Sequence, residues 1–230
     1  MSSREDAIRE FQSRWPDASV KQGSENSTRI AFSYRLNAEY DDIPLVEDFE
    51  LEILVHKDYP NMVPKVFEVS HLIPSDYEHL YCDRSFCLGI NGELLMQLHK
   101  NASLVAFVEG PVRSYLYSAL FHEAYGRYPF GDRPHGYQGI LDFYKERFDV
   151  EDESSAYQIM QFIAKGKYRG HLQCPCGSGI KTRNCHGNQL LSAINGFERE
   201  TVMLDLRLIL KDLQALEEHR RRLQIPKYIY

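Results

Sequence analysis

Three cysteines and a histidine lie close together in the string CPCGSGIKTRNCH, residues 174–186. Cys174, Cys176, Cys185 and His186 supply three thiolates and one imidazole, which is a complete tetrahedral ligand set for zinc. Because four protein ligands fill the coordination sphere, no position remains for water or substrate. The pattern therefore predicts one structural zinc ion and no catalysis by that metal.

The residues between these ligands suit a tight metal-binding loop. Gly177 and Gly179 flank Ser178 and permit the turn that returns the second ligand pair to the first. Lys181 and Arg183 partly offset the charge of three thiolates. The alternative is a set of reduced surface cysteines beside an unrelated histidine, which does not account for four ligands at this spacing. The string closely resembles the SEC-C motif, known from the C-terminal tail of the bacterial SecA translocation ATPase. That resemblance implies a small zinc module that often serves as a protein-binding handle.

A second group of reactive side chains lies in the string HLYCDRSFCLG, residues 79–89. Cys87 and Cys82 are the candidate nucleophiles, and His79 is the candidate base nearest in sequence. A cysteine with apolar neighbours, such as Cys87, is more often a small buried hydrophobic residue. A second zinc site built from His71, His79, Cys82 and Cys87 is a further alternative, although its spacing matches no closed zinc pattern.

The elements that must position these groups begin with an amphipathic helix over residues 3–15, which Ser3 can cap and Pro16 ends. Alternating apolar residues then predict a meander of three or four strands, with a turn-prone break between the first two. The strands lie at residues 30–36, 49–55 and 66–69, and the break lies at 40–44. A loop follows over about residues 71–92. This order predicts an α+β fold in which helices cover an antiparallel sheet.

The rest of the chain is predicted to be mainly helical. The predicted helices lie at residues 104–125, 140–148, 155–165 and 197–223. Gly110 and Pro111 must interrupt or restart the first of them, and Ser154 or Ser155 can cap the third. The acidic string 149–155 is the predicted boundary. Residues 1–148 form the first domain, 149–195 a linker, helix and zinc module, and 196–230 a C-terminal helix. The apolar stripe of the last helix predicts packing against the protein body or against a second copy.

The order of elements resembles the ubiquitin-conjugating enzymes over roughly residues 1–148. The segment Tyr59-Pro60-Asn-Met-Val-Pro64 lies where that family has its Tyr-Pro turn. His79 matches the histidine of the family's His-Pro-Asn motif, and Cys87 matches the catalytic cysteine of its Cys-Leu pair. The loop 128–139 resembles that of bacterial members associated with antiphage defence islands. The resemblance implies an acyl transferase with Cys87 as nucleophile and His79 as its partner.

One departure from the family pattern concerns the oxyanion. Leu80 and Tyr81 replace the Pro-Asn of the motif, so the asparagine that steadies the oxyanion during isopeptide formation is missing. The resemblance still implies that the Cys87 thiolate accepts an activated C-terminal acyl group and passes it to an amine. The implied donor in the related bacterial systems is a partner protein, such as a defence nucleotidyltransferase, and the acceptor is also a protein. The alternative is a catalytically inactive adaptor that binds a partner through the zinc module and the last helix.

Composition excludes several other classes of function. The net charge is −6, with 27 basic and 33 acidic residues, which speaks against a dominant nucleic-acid-binding role. No segment approaches the length of apolar sequence that a membrane span needs. The N-terminal string MSSREDAIREFQSRW lacks the apolar core of a secretory signal. We therefore expect a cytoplasmic protein with no membrane and no nucleic-acid partner, in which a homo-oligomer remains an open alternative.

Overall fold

The computed structural model describes residues 4–23, 26–131, 134 and 136–222. Residue contacts divide the chain into two compact units. The first comprises residues 1–89 and 94–132, and the second comprises residues 90–93 and 133–230. The cap predicted at Ser3 and part of the loop predicted at 128–139 lie outside the described residues.

The first unit is built around a four-stranded antiparallel sheet with the strand order β1-β2-β3-β4. The strands are β1 (Ser19–Gln22), β2 (Ser27–Tyr40), β3 (Ile43–His56) and β4 (Lys65–Glu68), and helix α1 (Arg4–Arg14) precedes them. The alternation predicted for β2 and β3 is confirmed, because every second side chain is buried. These buried residues are Ile30, Phe32, Tyr34, Leu36, Phe49, Leu51, Ile53 and Val55. The predicted α+β class and antiparallel sheet are therefore observed.

The turn predicted at 40–44 is a two-residue hairpin loop. Tyr40 pairs with Ile43, and the intervening Asp41 and Asp42 have φ angles of 52° and 60°. A two-residue loop with two positive φ angles matches the twist of the strands that it joins. Tyr117 donates a hydrogen bond to the carbonyl of Ile43 at 2.8 Å, which fixes the hairpin end to a following helix.

Helices complete the first unit after an irregular segment. They are α2 (Asn91–Lys100), α3 (Leu104–Phe107) and α4 (Arg113–Tyr125), and a π-helical turn at Val108–Val112 joins α3 to α4. The first three residues of α2 belong to the second unit. The expected interruption of the α-helix at Gly110 and Pro111 is observed as this π-helical turn, which accommodates the missing amide hydrogen of Pro111 without ending the helical path from Leu104. Helix α2 was not anticipated from the sequence.

The second unit is a group of helices together with the loop that carries the cysteines. These helices are α5 (Gly136–Phe148), α6 (Glu153–Lys165), α7 (Gly187–Asn195) and α8 (Glu198–Arg222). Helix α5 packs on α6 and α8, and α6 also packs on α7 and α8. Contacts thus group α5 with the second unit, whereas the sequence boundary was placed after it, at residue 148. Asp152, not Ser154 or Ser155, caps α6, because its carboxylate accepts the Ser155 amide at 2.8 Å.

Candidate functional site

The loop that carries the four predicted zinc ligands is closed by backbone hydrogen bonds. The Cys174 amide donates to the Ile180 carbonyl at 2.8 Å, and the Gly177 amide donates to the Cys174 carbonyl at 3.2 Å. Gly177 and Gly179 have φ angles of 78° and 73°, a region that other residues rarely adopt. The predicted role of these glycines in a tight turn is therefore confirmed. A short 3-10 turn over Thr182–Asn184 then leads directly to the second ligand pair.

The four donor atoms converge on one point. The Cys174 and Cys185 sulfurs lie 3.3 Å and 3.2 Å from the Nδ1 atom of His186. The Cys176 and Cys185 sulfurs are 3.6 Å apart, and all four donors lie within 4.8 Å of one another. A sulfur–sulfur bond is about 2 Å long, so this separation is not that of a disulfide. The cluster is the arrangement of four separate ligands around a shared centre.

The cluster fits a zinc ion by both geometry and donor type. Ligands about 2.3 Å from a tetrahedral zinc lie about 3.8 Å from one another, close to the separation of Cys176 and Cys185. Three thiols and an imidazole are the donor set of structural zinc sites. Within the described part of the chain, this is the one group of histidine, cysteine and acidic residues placed to hold a metal. The alternative zinc site around His71, His79, Cys82 and Cys87 is not formed there.

Contacts around the ligands orient them. The Nε2 atom of His186 lies 2.7 Å from the carbonyl oxygen of Phe148, at the end of α5. Because a carbonyl only accepts, Nε2 must carry the proton, which leaves Nδ1 free to face the sulfurs. On the opposite side, the Ser155 hydroxyl of α6 donates to the Cys176 carbonyl at 3.0 Å. The loop is thus tied to the helices beside it.

The pKa values of Cys174 and Cys176 in the metal-free protein are shifted in opposite directions. Burial raises the pKa of Cys174 to about 11. Burial also acts to raise the pKa of Cys176, but hydrogen bonds from Ser178 and the neighbouring thiols outweigh it and lower this pKa to about 6. A bound dication favours the thiolate form of every cysteine ligand. Lys181 and Arg183, the predicted charge-balancing residues, are both exposed.

The second cysteine group forms a small hairpin. Leu80 and Phe86 form an antiparallel bridge, and the Cys87 amide donates to the His79 carbonyl at 2.8 Å. In this register His79 and Cys87 lie directly opposite each other, and Tyr81 shares their face because side chains alternate along a strand. Phe86 points the other way into the core. The structure therefore brings the two predicted catalytic residues together as cross-strand neighbours.

Cys87 is partly accessible, whereas Cys82 at the hairpin tip is exposed. Burial is the main cause that raises the pKa of Tyr81 well above its usual range, and the nearby Cys87 thiol adds to this effect. The carboxylate of Asp83 is held by Lys65 at 2.6 Å and by the Ser85 hydroxyl at 2.6 Å. Those hydrogen bonds lower the pKa of Asp83 to about 2. The polar group that meets the Cys87 side chain is thus Tyr81.

An aromatic cluster surrounds the His79 side. The His79 ring lies 4.9 Å from the Tyr128 ring and 5.5 Å from the Tyr77 ring. His122 stacks on Tyr128 at 4.5 Å, so a second imidazole joins the same cluster. No local sequence pattern links His122 to His79. The two are joined because the loop after α4 places the Tyr128 ring in contact with both imidazoles.

No family model matches the chain, and no match is found among curated proteins or solved structures. None of the helices in the described ranges is long and apolar enough to cross a membrane.

Proposed function

We propose that this protein is a ubiquitin-conjugating-like acyl transferase with Cys87 as its nucleophile and a structural zinc module. The observation that carries the proposal is the pairing of a partly accessible Cys87 with His79 across one hairpin. The hairpin follows a helix and a four-stranded antiparallel meander, which is the order of elements that the resemblance implies. The four metal-site donors form a complete coordination set, so the metal supports structure and takes no part in this chemistry.

The proposed reaction has two steps. The Cys87 thiolate attacks the carbonyl carbon of an activated C-terminal acyl group, a thioester or acyl adenylate, and a C–S bond forms as the donor thiolate or nucleotide leaves. An acceptor amine then attacks the same carbon, loses a proton to a base or to water, and releases the Cys87 thiolate. The products are an amide and the free enzyme. Each step passes through a tetrahedral oxyanion that needs hydrogen-bond donors.

Two neighbours of Cys87 have complementary roles in this proposal. His79 is the base that accepts a proton in the thiol or amine step. Tyr81 occupies the position of the missing family asparagine, and the hairpin register places its side chain on the same face as Cys87. A tyrosine hydroxyl is protonated at neutral pH, so it is available as a hydrogen-bond donor to an oxyanion formed at the sulfur-bound carbon.

The partners in this proposal are proteins. The donor is a protein with an activated C-terminus, for which the resemblance to antiphage defence systems implies a defence nucleotidyltransferase. The acceptor is a protein amine. The zinc module, in which Cys174, Cys176, Cys185 and His186 hold the metal, serves as a handle for a partner.

Intact mass spectrometry after co-expression with the candidate donor tests the enzyme proposal. Cys87→Ser and Cys87→Lys should accumulate oxyester and amide adducts, since both are more stable than a thioester. The adduct should be heavier than the variant alone by the mass of the donor minus one water. Cys82→Ser is the matched control, and it should behave as the wild type. Absence of an adduct from the wild type and from both Cys87 variants would remove the enzyme proposal.

A second candidate function is a catalytically inactive adaptor. One observation favours it: helix α8 exposes a series of leucines that a partner or a second copy could cover. They are Leu204, Leu208, Leu210, Leu213 and Leu216, each at least 39% exposed. In that case partner binding is insensitive to Cys87→Ser and is lost when Leu210 and Leu213 are replaced by glutamate. A pull-down with the donor, scored for both sets of variants, distinguishes the two functions.

A further inference from the structure

The second unit contains a long segment with basic residues and no acidic ones. Between Glu153 and Glu198 the chain has five lysine or arginine residues and no aspartate or glutamate. The whole chain, by contrast, has a net charge of −6. Positive charge is therefore concentrated in this segment and is not a property of the protein as a whole.

Three of these cations line a single groove at the end of α6. Its volume is about 500 Å³, and its lining residues are Phe162, Lys165, Lys167, Arg169 and Leu172. The three cations are exposed, as is Leu172, while Phe162 is half-buried. The groove thus combines an apolar floor with a basic rim.

Neither helix capping nor ion pairing accounts for these cations. The Arg199 guanidinium already donates to the Ala164 carbonyl at 3.2 Å and 3.3 Å, and the Gly166 amide donates to the Ile163 carbonyl. Two of the last four carbonyls of α6, those of Ile163 and Ala164, therefore have donors that are not lysines. Among the described residues, none forms an ion pair with Lys165, Lys167 or Arg169.

We propose that this groove binds an acidic segment of a partner protein. An apolar side chain of that segment fills the space between Phe162 and Leu172, and flanking carboxylates meet Lys165, Lys167 and Arg169. A short groove with an apolar floor suits one anchored side chain. A nucleic-acid backbone needs a longer track of cations, and a flat membrane surface cannot enter a groove. The opposite charge steers association and selects against basic partners.

The zinc loop forms one wall of this groove. Leu172 lies two residues before the ligand Cys174, and its carbonyl accepts the Thr182 amide at 2.8 Å and the Thr182 hydroxyl at 3.1 Å. Because Thr182 is fully buried, this pairing holds Leu172 in place beside the metal ligands. Loss of the metal should therefore weaken binding of the acidic segment in the groove. This binding does not depend on the chemistry of Cys87.

Fluorescence anisotropy with defined probes tests this proposal on the full, zinc-loaded chain. The probe is a fluorescein-labelled peptide of repeated Glu-Glu-Leu. The comparison probes are a Lys-Lys-Leu peptide, single-stranded DNA and vesicles containing phosphatidylserine. The wild type should bind the acidic peptide best, and added salt should weaken that binding because the rim is exposed. Preference for DNA or for vesicles would overturn the proposal in favour of a phosphate ligand.

Charge reversal locates the binding. The triple variant Lys165→Glu, Lys167→Glu, Arg169→Glu should bind the acidic peptide at least tenfold more weakly. The matched control changes three exposed lysines of the first unit, Lys21→Glu, Lys57→Glu and Lys100→Glu, and should bind as the wild type does apart from a small general charge effect. Equal losses in both triple variants would overturn the groove, since they would indicate net charge alone.

Two further variants test the contribution of the apolar floor and exclude a folding defect as the cause of weaker binding. Phe162→Ala should weaken binding of the acidic peptide several-fold, whereas a purely electrostatic contact would be unaffected. The neutral variant Lys165→Gln, Lys167→Gln, Arg169→Gln provides a milder version of the charge change. Zinc content and circular dichroism establish that each variant is folded. A folded neutral variant that binds like the wild type contradicts the proposal.

Discussion

The Nε2 atom of His186 lies 2.7 Å from the carbonyl oxygen of Phe148, and its Nδ1 atom faces two cysteine sulfurs. The carbonyl determines which ring nitrogen carries the proton, and so determines which nitrogen is available to a metal. The candidate metal site therefore depends on a residue far from the four donors in sequence. Helix α5 takes part in the metal site by supplying this backbone acceptor.

This relationship predicts the tautomer of His186 in the zinc-loaded protein. Nδ1 should be the metal-bound nitrogen, and Nε2 should carry a proton that exchanges slowly with solvent. A long-range proton–nitrogen NMR spectrum of the imidazole distinguishes the two tautomers. A spectrum with zinc on Nε2 would contradict the orientation described above.

Removal of one ligand should empty the metal site. Cys185→Ser is expected to reduce the zinc content from one ion per chain to near zero, because a hydroxyl is a poor zinc ligand and three ligands bind far more weakly than four. The variant should also unfold at a lower temperature. Zinc is measured by elemental mass spectrometry on purified protein. Cys82→Ser is the control, and it should retain its zinc because Cys82 lies in the other unit.

A methyl group at Gly187 should destabilise the zinc module. A Cβ atom there would lie 2.8 Å from the Tyr168 hydroxyl and 2.9 Å from the Thr182 carbonyl oxygen. Gly187→Ala should therefore cost about 1–3 kcal/mol, as overpacking usually does. At Gly110 a Cβ atom would meet nothing within 4 Å, so Gly110→Ala should leave stability unchanged or raise it. Thermal unfolding of both variants checks the contrast, and equal losses would refute it.

Asp205 should make stability depend on pH. The carboxyl is fully buried, its Oδ2 atom accepts the Tyr144 hydroxyl at 2.8 Å, and its Oδ1 atom has no partner among the described residues. Burial raises the pKa of Asp205 to about 6. Between about pH 4 and pH 6 the folded state keeps a proton that the unfolded state has released, so stability falls as pH rises through this window.

The variant Asp205→Asn should remove that contribution, because an amide does not ionise. Relative to the wild type, its free energy of unfolding should increase from pH 4 to pH 7 by up to about 3 kcal/mol, which corresponds to a shift of about 2 pKa units. Urea denaturation at several pH values measures the difference between the two proteins, in which effects common to both cancel. Glu218→Gln, at an exposed position of α8, is the control and should show no such trend.

Several features of the fold could be predicted because they depend on neighbours in sequence. The alternation of Ile30, Phe32 and Tyr34 predicts a strand with one buried face, and the structure buries all three. The loop at Asp41 and Asp42 is also a local feature. Helix α2 and the continuous path through Pro111 could not be predicted in this way, because the surrounding packing decided between competing local conformations.

The candidate sites also have features that depend on local sequence and features that depend on packing. The sequence by itself determined the candidate metal ligands Cys174, Cys176, Cys185 and His186, because four donors of the right type lie within thirteen residues and a short glycine-containing loop can close them. It also identified His79 as the candidate base and Cys87 as the candidate nucleophile. Ligand type and short-range spacing are properties of the chain that need no knowledge of its folded path.

Only the tertiary structure decided which groups surround these residues. Phe148 meets His186, and His122 reaches the ring of Tyr128, through packing between distant segments. The hairpin register decided that Tyr81 shares a face with Cys87. The physical reason is that hydrogen bonds and ring contacts act over a few ångströms in space, while the residues that make them are brought together by burial of apolar surface along the whole chain.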